Sequence, residues 1–154
     1  MELLKWNRSL NIGVDVIDKQ HQHIGDCINR LHKAIEDGNR GAIGVSFDEI
    51  IDYTITHFGF EEDLQIKAGY EFCTAHRRAH LLFIKRIGVF KQQFDASQEE
   101  ESIEIGQEVL LMLRRWIINH IQQEENYSDF VLSRMKENTA DKERSKGWVS
   151  RLFN

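Results

Sequence analysis

Four stretches of this chain repeat apolar residues every three or four positions, and in each one histidine takes some of the apolar places. The first stripe runs Ile17, His21, Ile24, Ile28, Leu31, Ile35, and the second runs Phe47, Ile50, Thr54, His57, Glu61, Leu64. The third runs Phe72, His76, His80, Phe83, Ile87, Phe90, Phe94, and the fourth includes Val109, Leu113, Trp116, Ile117, His120, Tyr127 and Val131. Such spacing marks the inner face of an α-helix. The sequence has no proline, the strongest helix breaker. Helices joined by short connections pack antiparallel, so the expected fold is all-α. We expect an up-down-up-down antiparallel four-helix bundle with an irregular N-terminal arm and a short C-terminal tail.

The boundaries follow from local chemistry. Asp15 or Asp18 is expected to cap the first helix. The segment Glu36-Asp-Gly-Asn-Arg-Gly41 ends it, and Gly69 ends the second. The third starts near Glu71, and residues 95–102 read as a solvated, acidic turn. The fourth helix runs from about Ile103 past Met135, so residues 1–137 form the domain and 138–154 a tail without a stripe.

A polar side chain on a core stripe needs a partner, because burying it unpaired costs about 1–3 kcal/mol. His57-x-x-x-Glu61 and His76-x-x-x-His80 each place two donors about 40° apart on one helix face. His21 and His120 add single donors from the other two helices. That layout suits two metal ions inside a bundle. Two cations held close together need anionic bridges. Glu61 supplies one, and the fourth helix offers Glu124 and Glu125 for a second. His23 and His32 fall off the inner stripe and read as surface residues. A catalytic zinc takes about three protein ligands, fewer than are offered here. Ferritin-type Glu-x-x-His pairs are missing from the inner stripes. The histidine excess points to iron that binds a ligand rather than generating a strong oxidant.

Composition removes other classes. A net charge of -5 and no basic stripe give no reason to expect nucleic-acid binding. No run of about 18 apolar residues spans a membrane. The opening Met-Glu-Leu-Leu-Lys-Trp lacks a signal peptide's apolar core, which reads as a cytoplasmic protein. Cys27 and Cys73 match no disulfide or zinc framework and read as small core residues.

Ordered motifs across all four stretches resemble the bacterial hemerythrins. They are Trp6 with Asn11-Ile-Gly-Val-Asp-Val-Ile-Asp-Lys-Gln-His21, His57-Phe-Gly-Phe-Glu-Glu62, Tyr70 before His76-x-x-x-His80, and Trp116-Ile-Ile-Asn-His-Ile121. The resemblance covers residues 6–135 and implies two iron ions per chain, bridged by hydroxide or oxo, with O2 as ligand. It implies that His76, His80 and His120 hold one iron. His21 and His57 would hold the other, leaving it an open position, and Glu61 would bridge. Trp116 and Ile117 match positions that wall the oxygen pocket. The family's second bridge is an aspartate five residues after the last histidine, where this chain has Glu125. Helix geometry favours Glu124, about 40° from His120 against about 140° for Glu125. Family register favours Glu125, to which we assign the bridge.

The implied function is reversible O2 binding, as carrier, store or scavenger, by a monomer that is not an enzyme. The alternatives are an O2 or redox sensor acting on a partner through the tail, and a di-iron peroxidase or nitric oxide-handling enzyme. The partner expected throughout is dioxygen.

Overall fold

The computed structural model describes the backbone of residues 2–152, and the side chains of 124–127, 135 and 137–152 lie outside the described set. Four α-helices follow a 3-10 turn at Arg8–Leu10: α1 Asp15–Glu36, α2 Arg40–Ala68, α3 Cys73–Ala96 and α4 Glu99–Leu152. There is no strand among the described residues. Helix α1 packs on α2 and α4, and α3 packs on the same two, which closes the antiparallel bundle. The chain reverses at residues 37–39, 69–72 and 97–98. Gly69 takes φ 72° to end α2, a left-handed conformation that a side chain would strain.

One end of the bundle has a mainly apolar core. Leu31, Ile43, Phe47, Val109 and Leu113 are fully buried there, and the Phe47 and Phe94 rings lie 5.1 Å apart. Gly106 lets α4 come close to α1, since a Cβ on it would stand 3.2 Å from Ile35 Cγ1. Arg40 closes this end by donating to the Phe94 and Ser97 carbonyls, at 3.1 and 3.3 Å. The opposite end gathers the start of α1, the end of α2 and the start of α3. Asp18, His21, His57, Glu61, Gln65, His80 and His120 are buried towards that end.

Several sequence expectations need correction. The acidic segment 95–102 is not a turn. Only residues 97–98 connect the helices, and Glu99, Glu100 and Glu101 form the first turn of α4. Negative charge is favourable at a helix start, so the run is helical. Ser102 is fully buried there and donates to the Glu99 carbonyl. Phe72 does not point inward and is 57% exposed, because α3 begins after it, at Cys73. Cys27 is buried as expected, but Cys73, at that helix start, is only half-buried. His32 is buried, not on the surface, and its Nε2 lies 3.5 Å from Glu36 Oε1. A bundle helix touches two neighbours, so α1 is buried over more than one stripe. The backbone of α4 also stays helical to Leu152, beyond the end of its apolar stripe.

Neither Asp15 nor Asp18 caps α1 in the ordinary sense. The N-cap position is Val14, with no side-chain cap. Asp18, nearly buried, instead reaches back to accept from the Ile12 and Gly13 amides at 2.8 and 3.1 Å. This ties down the arm, which also pairs Leu4 with Asn29 through two hydrogen bonds. Asp18→Ala leaves the buried Ile12 amide unpaired and should cost about 1–3 kcal/mol in urea unfolding. An unchanged unfolding midpoint would mean that apolar contacts alone hold the arm.

Candidate metal centre

The bundle brings six of the seven predicted ligands together. His21 comes from the second turn of α1, His57 and Glu61 from the second half of α2, His76 and His80 from the N-terminal part of α3, and His120 from α4. Their ligand atoms form two groups, each within 4.8 Å: Glu61, His76, His80 and His120, and then His21, His57 and His120. His120 belongs to both groups. Its Nε2 is 3.1 Å from His57 Nε2 and 3.7 Å from Glu61 Oε2. Glu61 Oε2 lies 3.2 Å from His76 Nε2, 3.3 Å from His80 Nε2 and 3.7 Å from His57 Nε2. One carboxylate oxygen thus stands among four imidazoles. Glu125, the seventh predicted ligand, lies outside the described side chains, as do Glu124 and Tyr127.

Burial sets the chemistry of these rings. Desolvation lowers the His21 pKa to about 4 and the His57 pKa to about 3, and pushes His120 well below its ordinary value. The Glu61 charge opposes all three shifts and is outweighed. These rings are therefore neutral at pH 7, and a neutral imidazole has a nitrogen lone pair that can ligate a cation. Neutral imidazoles with a carboxylate suit divalent first-row metals.

His80 shows most clearly that the set fits a cation. Its Nδ1 lies 2.9 Å from Glu62 Oε1, and a carboxylate accepts, so Nδ1 carries the proton. That contact turns Nε2 away from Glu62 and into the site. Nε2 is buried, has no hydrogen bond among the described residues, and faces Glu61 Oε2 at 3.3 Å. An imidazole nitrogen and a carboxylate oxygen facing each other in the core are both atom types that ligate first-row metals, so a cation there would meet two donors.

Aromatic rings fix the histidines. Phe58 stacks on His80 with centroids 3.7 Å apart and planes 3° apart. Trp116 stacks on His120 at 4.8 Å and on Phe83 at 4.0 Å. Trp116 is half-buried, and Ile117, one turn before His120, is fully buried. A groove of about 660 Å³ between α3 and α4 runs past Phe83, Met112 and Trp116 to His76, His80 and His120.

The family model for the "Hemerythrin HHE cation binding domain" matches residues 12–127. The chain belongs to the hemerythrin family. It is 43% identical to a bacteriohemerythrin of Stenotrophomonas maltophilia, over 99% of this chain and 97% of that protein. It is 33% identical to a bacteriohemerythrin of Methylococcus capsulatus, over 79% of this chain and 90% of that one. A crystal structure of wild-type hemerythrin superposes with a TM-score of 0.71 at 28% identity, covering 84% of this chain and 98% of the other. Hemerythrin domains bind dioxygen at a non-haem di-iron centre. No helix among the described residues of this hemerythrin is long and apolar enough to cross a membrane.

Sequence reasoning missed the residues behind the ligands. Gln20 Oε1 lies 2.9 Å from His57 Nδ1, and Glu62 contacts His80. Both are chain neighbours of ligands, His21 and Glu61, and sit about 100° round their helices, towards the adjoining helix. Gln65, fully buried one turn beyond Glu61, was also missed, and neither of its amide atoms has a hydrogen-bond partner among the described residues.

Proposed function

We propose that this protein binds dioxygen reversibly at a di-iron centre, as a carrier, store or scavenger. The observation that carries the reading is the pair of donor groups sharing His120, with Glu61 among the rings and all but His76 buried. His76, His80 and His120 would hold one iron, and His21 and His57 the other. Glu61 would bridge them, with Glu125 as the second bridge. The bound pair supplies two electrons and an open coordination position for dioxygen.

The chain's own residues do the rest. His21 and His57 are two donors against three on the other side, which leaves the open position on their side. Gln20 accepts from His57 Nδ1 and so aims Nε2 inward. Phe58 is buried against the His57, His80 and His120 rings and would help to exclude water. A dry pocket slows proton entry, which favours release of O2 over reaction. We read the protein as a cytoplasmic monomer and not an enzyme, with residues 1–137 as the di-iron domain and 138–154 as a tail.

The test is a visible spectrum of the reduced, iron-loaded protein, taken under argon, then in air, then after an argon purge. A charge-transfer band that appears with O2 and disappears on purging is the expected result. Conversion to an oxidised spectrum that argon cannot reverse would overturn reversible binding.

A further inference from the structure

Two of the imidazoles are backed by different chemistry. Behind His80 stands a carboxylate, Glu62 Oε1, at 2.9 Å from Nδ1. Behind His57 stands a neutral amide, Gln20 Oε1, also at 2.9 Å from Nδ1. In both, the oxygen accepts from Nδ1, which aims Nε2 into the site. The distances match and only the charge differs. The other oxygen of Glu62 lies 3.4 Å from Arg77 Nε, so an exposed guanidinium also holds this carboxylate in place.

A hydrogen bond to an ionised acceptor is roughly twice as strong as a neutral one. It draws the Nδ1 proton away and pushes electron density towards Nε2, making the imidazole a stronger donor. A stronger donor stabilises the higher charge on the metal it holds. We infer that Glu62 and Gln20 are positioning residues that make the two metal positions unequal, with the His80 side the tighter and the more readily oxidised. The inference rests on the ligand sets given under the proposed function.

The variants that separate charge from shape are Glu62→Gln and Gln20→Glu. In Glu62→Gln the amide oxygen can still accept from Nδ1, so structure is kept and only charge is lost. Nitrogen NMR of the histidine side chains in metal-free protein should show His80 still protonated on Nδ1. Titration with Co2+ against a competing chelator should show one of two sites weakened about 10–100-fold, the cost typical of losing such a partner. The other site should be unchanged. Gln20→Glu should tighten that other site instead. In iron-loaded protein, Glu62→Gln should shift the ferric-to-ferrous ratio of one iron at fixed potential by about tenfold towards ferrous, which is 59 mV for one electron. Wild-type protein that takes up no second ion overturns the di-iron reading and this inference with it. Two-ion binding with both variants indistinguishable from wild type overturns this inference alone.

Discussion

Replacing His57 with alanine should leave about one iron per chain and abolish the O2-dependent absorption band. His57 is 1% exposed and belongs to the donor group that, among the described residues, otherwise holds His21 and the shared His120. A site needs at least three or four ligands to hold a first-row metal firmly. Without His57, the second position keeps a single imidazole of its own plus shared groups, too few to compete for iron. The His76, His80 and His120 set is untouched and should keep its ion. The fold should survive, because the substitution removes a desolvated ring rather than a charge partner that another buried charge depends on. Helical circular dichroism separates that outcome from unfolding. His23→Ala serves as control, since His23 is exposed and rests against Tyr53 at 4.2 Å, away from the site. Two irons and normal oxygenation in His57→Ala would sink the site assignment.

The stripes were legible because helix burial is periodic. The ligands stood out because they broke that periodicity chemically: a histidine at the place of an isoleucine must answer for its burial. Glu61 was readable for the same reason. The outer partners were not, since Gln20 and Glu62 lie where polar residues are ordinary. Their role appears only when the neighbouring helix brings His57 or His80 within 2.9 Å. His32 was misread because a stripe rule assigns one buried face to a helix that has two neighbours. The acidic segment before α4 was misread because charge marks both a solvated turn and a favourable helix start, and only the backbone decides between them.

The iron-free protein should unfold in mild acid, well above the pH at which carboxylates ordinarily titrate. His21 and His57 have pKa values lowered to about 4 and about 3, and His120 is lowered as well, all chiefly by burial. In the unfolded chain these rings take protons near their ordinary value of about 6.5. Below that pH the unfolded state binds more protons than the folded state, so folding stability falls as pH falls. Stability is full above about pH 6.5, and the loss continues until the folded rings themselves protonate, near pH 4 and below. Each such ring contributes a slope of up to about 1.4 kcal/mol per pH unit, so three give about 4 kcal/mol per unit. Against a folding stability of about 5 kcal/mol, at the low end of the typical range, one to two units suffice to unfold the chain. Urea unfolding followed by circular dichroism at several pH values measures this slope directly. His21→Leu removes one titrating ring and should make the slope shallower by about a third. Iron-loaded protein should resist to lower pH, because an ion that binds only the folded state adds its binding energy to stability. It should then fail abruptly, since the same protons compete for the lone pairs that hold the metal. Stability that stays flat from neutral pH to about pH 5 without iron would mean that these rings are not held neutral by burial.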